Sequence, residues 1–586
     1  MARLECEQKS FHKGQTPLTM ILQQYLPLIL TLYSSFLEQF FHNLVYVVVL
    51  SRARGHLLYK VWHHLDLVAL DDVCTAYHHT EGPGAPATHP ATHLVRALLV
   101  QYLFGLSYRQ LEQLLYTDLM ARWFVGYGLF EMPPDHVTFQ RFEMWVCQNH
   151  KRAFFDEVVK QIQAAYPEER TRTQIGDTYA MHANADQEDL TPLLYHICKH
   201  ILGLAIQSLP HELDHSVQGF AWNHLFGTHK ELPAFLLSKE QRVARLQRVA
   251  ASAFDLSMRL SCVLQSHSTQ EFPELRLWLG YLQKIISAEF SIHNQIAQRL
   301  PPNQQGSFRI GSATDPEATY RVHGPNPEDT SFGYNVQVSI STSGFVYETQ
   351  AYTGAAPDQS GVAALVSEQR THLGSCPPKL IYDQAAGCGK TRADVCAASD
   401  GQTLLVSKLP SFERRTERFG PYDFVLSLDG LMLTCPAGKN SSIAYRSQSG
   451  EGRDFRFLDH QCWCGDPPIH MKNADRAQRC PLWERCRGER MGPRTMRQVF
   501  ISNYRNEVFA AQVYNQTETF ELEMKVRPEV ERTVFELTHY NGARRCRKRG
   551  LDNADWQAKM CAMAYNIKRW MRRIALPPLL GVDSLW

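Results

Sequence analysis

The sequence has no uninterrupted apolar run long enough to cross a membrane. Its most apolar stretch, residues 17–50, is broken by Gln23, Gln24, Pro27 and Glu38, whereas a spanning helix needs about 20 consecutive apolar residues. The stretch also lies too far into the chain, and runs on too long, for a secretory signal peptide. We therefore expect neither a membrane partner nor secretion.

The sequence also has almost no net charge and no low-complexity segment. The formal net charge is only +2 over 586 residues, with 44% hydrophobic and 20% charged residues. This composition is globular, and the length predicts two to four domains. The fifteen cysteines, without a secretory signal, favour free thiols in a reduced, cytoplasmic setting over a disulfide framework.

The positive charge that the chain does have is concentrated near its end. Residues 525–573 contain thirteen Lys or Arg against five Asp or Glu, an excess of eight. The densest part, "RRCRKR", supplies Arg544, Arg545, Arg547, Lys548 and Arg549. Such a run binds a nucleic-acid backbone without reading its sequence. The structural alternative is a solvated basic surface.

Carboxylates lie directly ahead of this basic run. Glu529, Glu531 and Glu536 fall on one predicted helix, where they would weaken binding of a simple polyanion. Glutamates at this place are explained if a divalent metal binds between a carboxylate and a phosphate, because Mg²⁺ prefers hard oxygen ligands. Two earlier acids, Asp177 and Asp383, each follow a short strand pattern that we expect to end at the acid.

The remaining patterns predict a mixed α/β protein. Residues 55–150 are helical by periodicity, and Ser107 with Gln110 forms a capping-box pattern after a break at Gly105. Two short helices across a glycine turn are compatible with helix-turn-helix DNA binding. Residues 330–354 alternate apolar and polar residues around a Ser-Gly turn, which predicts a β-hairpin. Strands interrupted by large helical segments favour a mixed sheet with insertions.

Two further motifs leave alternatives open. "QAAGCGKT" has Gln384 where a phosphate-binding P-loop needs its first glycine, which argues against an NTPase. The second motif is a set of cysteines whose spacings, C-x-C and C-x₅-C, are not those of a common zinc knuckle. They are either buried thiols of an inserted subdomain or ligands of a structural zinc: Cys435, Cys462, Cys464, Cys480 and Cys486.

Taken in order, the motifs resemble the DDE-type insertion-sequence transposases that have an InsH-like helical N-terminal domain. The resemblance rests on "HPATHLVRALLVQYLFGLSYRQLEQLL" and "PPDHVTFQRF", then on "GDTYAMHANA", "SATDPEATYRVH", "FGYNVQVSIS" and "LIYDQAAG". It continues in "VERTVFEL" and "RKRGLDNADWQAKMCAMAYNIKRW" and covers roughly residues 55–575. "CPAG" and "RCPLWERC" are similar to the cysteine-bearing branch of this family.

The resemblance implies a fold, a reaction and a set of ligands. The fold is an RNase H-like mixed-sheet catalytic core of the α/β class, preceded by an all-helical N-terminal domain. The reaction is metal-dependent cleavage and strand transfer of DNA. Asp177, Asp383 and Glu531 are implied as the catalytic ligands of two Mg²⁺ or Mn²⁺ ions. The implied partners are double-stranded DNA, at the terminal inverted repeats of the element and at the target, and further copies of the chain.

The family pattern around the third acid is only partly kept. Its Tyr, Arg, Glu and Lys positions fall on Met524, Arg527, Glu531 and Thr538, so Arg527 is carried over as a DNA contact. The missing Lys removes a phosphate contact but no metal ligand. A DNA-binding transposase remnant with impaired catalysis is therefore the alternative to an active enzyme.

The resemblance also divides the chain. We expect an apolar extension of unknown role at residues 1–54, a helical DNA-binding domain at 55–165 and a catalytic domain at 166–575. The catalytic domain is expected to carry a helical insertion at about 188–305 and a cysteine-containing insertion at about 410–510. Residues 576–586 form a C-terminal tail.

Overall fold

A computed structural model gives the architecture of most of the chain. It describes residues 44–78, 89–209, 222–226, 232–294, 296–306, 308–324, 326, 329–410, 417–441, 443–447, 450–458, 462, 479–487 and 496–574. The contacts divide the chain into two compact units, residues 1–161 with 563–586 and residues 162–562. Most of the apolar extension predicted at 1–54 lies outside the described residues. Among the described helices, none has the length and apolarity needed to span a membrane.

The described part of residues 1–161 is helical, as predicted. Gly105 ends one helix in the left-handed conformation, with φ of 68°, which glycine adopts without a steric penalty. The predicted capping box is confirmed, since Ser107 accepts from Gln110 N–H and the Gln110 side chain caps Ser107 N–H. After a helical segment at 44–52, the α-helices are Leu57–His64, Leu67–Asp72, Ala91–Phe104, Tyr108–Thr117, Leu119–Val125, His136–Asn149 and Ala153–Ala165, the last of which continues into the second unit.

The second unit is a mixed α/β structure, in agreement with the predicted class. Its described strands are β1 Gln174–His182, β2 Phe290–His293, β3 Ile296–Arg299, β4 Thr319–Val322, β5 Thr330–Ser341, β6 Val346–Thr353, β7 Lys379–Ile381, β8 Leu404–Val406, β9 Val425–Leu426, β10 Leu433–Thr434, β11 Ile443–Arg446, β12 Gly452–Phe457 and β13 Arg497–Ser502. Its described α-helices are Leu190–Ser208, Trp222–Phe226, Lys239–Gln265, Pro273–Glu289, Val362–Leu373, Gly389–Ala398, Trp483–Arg487, Arg505–Tyr514, Glu518–Met524, Pro528–Tyr540 and Leu551–Arg573, of which the last ends in the first unit.

Six strands form the main sheet, in the order β4-β5-β1-β7-β8 with β6 also paired to β5. Strand β1 is antiparallel to β5 and parallel to β7, and β7 is parallel to β8. The hairpin predicted at 330–354 is confirmed as β5 and β6, which pair antiparallel. The central strand β1 therefore lies between an antiparallel and a parallel neighbour.

Two smaller structures are formed by long segments that are inserted between elements of the main sheet along the chain. Between β1 and β4, three long helices enclose a separate apolar core that includes Ile197, Leu256 and Leu282. Between β8 and the Arg505–Tyr514 helix, β11, β12 and β13 form a three-stranded antiparallel sheet. Phe455 and Val499 belong to its apolar core. The domain boundaries drawn from the sequence stay predictions.

Candidate active site

Asp177 lies inside β1, and the prediction that the strand ends at this residue is wrong. The alternation of buried and outward residues continues past it, because Tyr179 and Met181 are buried. Pairing with β5 also continues to His182. Burial of alternate side chains and a complete antiparallel ladder therefore extend the strand by five residues beyond the acid.

The carboxylate of Asp177 is largely buried, with its side chain 19% exposed. It accepts a hydrogen bond from the Thr178 N–H at 2.8 Å. Burial is the largest influence on the pKa of Asp177 and raises it. The Thr178 N–H and the Arg527 guanidinium lower this pKa, and the carboxylates of Asp383 and Glu531 raise it. Asp177 is therefore close enough to Asp383 and to Glu531 for both carboxylates to act on its pKa.

Asp383 also differs from the prediction in its local setting. Strand β7 ends at Ile381, two residues before it, and Asp383 caps the 3₁₀ turn Gln384–Ala386 by accepting from the Ala385 N–H at 3.0 Å. Its backbone carbonyl accepts from the Ser407 hydroxyl at 2.5 Å. The backbone is still extended at Asp383, with φ of −71° and ψ of −178°, and the turn begins only at Gln384. The acid therefore lies in the short extended link between the paired residues of β7 and the turn that it caps.

Glu531 lies in the first turn of the helix Pro528–Tyr540, as predicted. Pro528 occupies the first helical position, where a missing N–H has no cost. The Glu531 side chain is 62% exposed. The Arg527 guanidinium, just before this helix, lies 3.4 Å from a Glu531 oxygen and 3.9 Å from an Asp177 oxygen. One arginine thus stands between two of the predicted metal ligands.

A glycine and a tyrosine that the sequence analysis missed couple the first two acids. Tyr382 is buried and directly precedes Asp383, and its ring lies over Gly176, which directly precedes Asp177. A Cβ atom on Gly176 would lie only 2.5 Å from two ring carbons of Tyr382. The only sequence signal was the glycine before the acid in "GDTY", which marks a close approach.

A second missed feature holds the strand next to Asp177. The Thr178 hydroxyl donates to Asp358 at 3.0 Å and accepts from Arg321 at 2.9 Å. Arg321 and Asp358 also form an ion pair at 3.6 Å, and Asn335 donates to Asp358 at 2.8 Å. Arg321 lies in the motif "ATYRVH", whereas Asp358 was one acid among 59 and carried no distinguishing signal.

The basic run is attached to the far end of β1. The His182 N–H donates to the Arg544 carbonyl at 2.9 Å, and the Cys546 N–H donates to the His182 carbonyl at 2.8 Å. Arg544, Arg545 and Arg549 are exposed. Arg547 and Lys548 are half-buried, and Cys546 is buried between the cations. The run therefore presents part of its charge to solvent, starting five residues along β1 from Asp177.

Four of the five candidate zinc ligands line one small cavity of about 30 Å³: Cys435, Cys462, Cys480 and Cys486. All four have free thiols. Arg487 donates to the Cys462 sulfur at 3.0 Å, and burial raises the pKa of Cys462 and of Cys486. Cys464 lies outside the described residues.

No described group of three or more His, Cys, Asp or Glu side chains has an arrangement that could hold a metal ion. This holds for the described cysteines and for the three acids as they stand. In the segment that resembles a P-loop, the Lys390 ammonium lies 3.4 Å from Glu451. The lysine that would bind a phosphate is therefore in an ion pair.

Comparison with known protein families gives two matches. A family model described as Transposase domain (DUF772) matches residues 49–144. A second, described as Transposase DDE domain, matches residues 434–571 and so includes Glu531, the basic run and the four described candidate zinc ligands. No curated protein and no solved structure matches the chain significantly.

Proposed function

We propose how this chain, which is a DDE-type DNA transposase of an insertion sequence, carries out its reaction: Asp177, Asp383 and Glu531 hold two divalent ions in an RNase H-like core. DDE domains act as metal-dependent polynucleotidyl transferases. The proposal concerns which residues hold the metal, which ion is used and how DNA is bound. The observation that carries it is the Arg527 guanidinium, which lies 3.9 Å from Asp177 and 3.4 Å from Glu531, beside the influence of Asp383 on the pKa of Asp177.

The chemistry of the three side chains suits Mg²⁺ or Mn²⁺. Carboxylate oxygens are hard ligands, and Mg²⁺ keeps several waters, so three carboxylates suffice for two ions. Bound ions would polarise the phosphodiester and lower the pKa of the attacking hydroxyl. Burial raises the pKa of Asp177, and a nearby divalent cation would favour its charged form.

Arg527 has two roles in this proposal. In the described structure its guanidinium neutralises part of the charge of Asp177 and Glu531. With metal bound to the two acids, the Arg527 guanidinium would be available to bind a DNA phosphate, for which its planar donor set is suited. Asp177, Asp383 and Glu531 would have to rearrange to hold the ions, because the described side chains do not form a metal-ligand group.

The basic run, Arg544–Arg549, would bind the DNA backbone. Arg544, Arg545 and Arg549 are exposed at the end of β1, and with Arg547 and Lys548 they would bind the backbone of the terminal repeats and of the target. Such contacts position DNA without specifying its sequence. Joining two element ends to one target requires more than one active site, so we also propose a homo-oligomer.

A strand-cleavage assay tests the assignment. Purified protein is incubated with a labelled duplex that carries its own element end, in Mg²⁺, Mn²⁺ or EDTA. Asp383→Asn and Glu531→Gln are expected to abolish metal-dependent cleavage but to keep duplex binding. Glu529→Gln is the matched control for Glu531, because it changes an exposed acid two residues away on the same helix. Asp394→Asn, on the exposed side of the Gly389–Ala398 helix, is the control for Asp383.

The assay also distinguishes the second candidate, a transposase with impaired catalysis. A specific observation favours that candidate: Thr538 replaces the family's Lys, and its hydroxyl donates to the Val534 carbonyl at 2.8 Å. Salt-sensitive duplex binding without cleavage in either metal would establish it. Cleavage that survives in Asp383→Asn would contradict the proposed triad.

A structural zinc at the cysteine cavity is a separate prediction. Thiolate sulfur suits Zn²⁺, but the described thiols would have to move closer together to form a ligand group. If these cysteines hold a structural zinc, elemental analysis of protein purified without chelator will give one zinc per chain, and none in a Cys435→Ser, Cys462→Ser variant; buried free thiols predict a zinc content near zero in both. A zinc content near zero in the wild-type protein would contradict the prediction.

A further inference from the structure

A cavity of about 600 Å³ lies outside the triad, between the sheet β11-β12-β13 and the helix Arg505–Tyr514. Its volume falls within the range of small-molecule sites, about 300–1,000 Å³. Beside the aliphatic Leu426 and Ile501, the lining has aromatic, cationic and amide side chains, among them Tyr422, Phe455, Phe509, Arg453, Arg505 and Asn503. No acid belongs to the described lining.

The aromatic side chains of the lining are of two kinds, one buried in the core and the others partly exposed to solvent. Phe455 and Ile501 are buried in the apolar core beneath the cavity. Phe509 is 53% exposed and is not part of that core. Its ring centroid lies 5.7 Å from that of Tyr422, with the ring planes at 40°. Phe509 therefore keeps an apolar ring in water beside a second ring, which is the arrangement of a stacking platform.

Two arginines supply positive charge at the same cavity. The Arg505 guanidinium lies 5.6 Å from the Tyr422 ring centroid and donates to the Phe424 carbonyl at 2.8 Å. The Arg453 guanidinium donates to the Gly430 carbonyl at 2.5 Å. A guanidinium has five N–H donors, so these backbone contacts fix both groups and leave donors for an anion. Asp429 lies near Arg453 and offsets part of its charge.

We propose that this cavity binds an unpaired nucleotide of single-stranded DNA, with the base on the Tyr422 and Phe509 rings and a phosphate on Arg453 and Arg505. Aromatic rings with cations beside them bind single strands, because every base has a π-face and every nucleotide a phosphate. In a duplex the base faces are covered by their neighbours, so only an unpaired or flipped base can reach the rings. The choice of DNA as the nucleic acid rests on the proposed function.

The test measures binding of a short single-stranded oligonucleotide carrying one 2-aminopurine to the full-length protein, in buffer with neither Mg²⁺ nor Mn²⁺ and without chelator, so that cleavage plays no part. Stacking on an aromatic ring quenches 2-aminopurine fluorescence. Phe509→Leu is expected to weaken single-strand binding by about fivefold to 150-fold, the range for loss of one base–aromatic stack, and to restore the fluorescence. Phe500→Leu is the matched control. It changes a 41% exposed phenylalanine on β13 next to Ile501, and alternate residues of a strand point to opposite faces.

The outcomes separate this inference from the proposed function. Asp383→Asn is expected to bind the single strand like the wild type, because the triad does not line the cavity. A loss confined to Phe509→Leu, with duplex affinity unchanged, supports the proposal. Equal losses in Phe500→Leu and Phe509→Leu, an equal loss of duplex binding, or fluorescence that is never quenched would overturn it, whatever the cleavage assay shows.

Discussion

Replacing Gly176 by alanine should damage stability and catalysis together. The added Cβ atom would lie 2.5 Å from two carbons of the Tyr382 ring and 3.5 Å from Leu380. Tyr382 is 1% exposed, so its ring has no open space to enter, and the backbone must shift instead. Overpacking of this kind costs about 1–3 kcal/mol. The shift acts on the residues before both Asp177 and Asp383, and a displacement near 1 Å lowers a rate by about 100-fold.

Urea denaturation and Mg²⁺-dependent cleavage measure the two effects. Gly203→Ala is the control, because Gly203 is an exposed residue of the Leu190–Ser208 helix with nothing within 4 Å of an added Cβ. There alanine should stabilise by up to about 1 kcal/mol. Combining Gly176→Ala with Tyr382→Leu should recover part of the loss, with a coupling energy of about 0.5–3 kcal/mol.

The reasoning would be refuted if Gly176→Ala matched the wild type in both unfolding free energy and cleavage rate. Additive losses in the double variant would also refute it, since they would mean that the alanine and the Tyr382 ring do not meet. A stability loss with full cleavage would show that the ring packs against β1 without fixing the position of Asp177 or Asp383.

Two other substitutions, Asp177→Asn and Lys559→Met, should change the folding stability in a direction that the structure fixes. Burial raises the pKa of Asp177 above 3.8, so the folded state holds this proton more tightly than the unfolded chain, and the charged form costs stability once the pH has risen through the folded-state pKa. In metal-free buffer Asp177→Asn should therefore be more stable than the wild type at pH 7, with the difference in urea midpoint shrinking as the pH falls toward 3.8; an undiminished difference would contradict this. Lys559 is 2% exposed and donates to Asp555 at 2.8 Å and to the Thr349 carbonyl at 2.7 Å. Lys559→Met should cost about 3–5 kcal/mol in thermal or urea unfolding, because it removes the cationic partner of the buried Asp555 carboxylate, which also accepts from the Ala351 N–H at 2.9 Å. A loss below about 1 kcal/mol would show that the other contacts of Asp555 suffice to hold its charge.

Local signals in the sequence predicted local structure well. The Ser107–Gln110 capping box and the Pro528 helix start follow from residues within one turn, and the β5–β6 hairpin follows from alternation around a tight turn. The end of β1 could not be read in this way, because pairing with β5, more than 150 residues later in the chain, extends the strand past Asp177.

The contacts around Asp177 and Asp383 depend on tertiary structure more than the helix starts and the hairpin do. Nothing near Gly176 in the sequence reveals that Tyr382 covers it, and nothing near Thr178 reveals Arg321 and Asp358. Motif order identified the transposase resemblance because it sums many weak local patterns over the chain. Side-chain partners across a sheet are set by strand order and register, which a single sequence does not specify.

The backbone bonds between His182 and the basic run have a consequence for where DNA is cut. Asp177 and His182 are five residues apart on one strand, about 17 Å at the usual rise per residue. Along one DNA strand the same length corresponds to about five nucleotides. Under the proposed function, the length of strand β1 would set the spacing between the phosphates that Arg544 and Arg545 bind and the phosphate that is attacked, without any contact to a base.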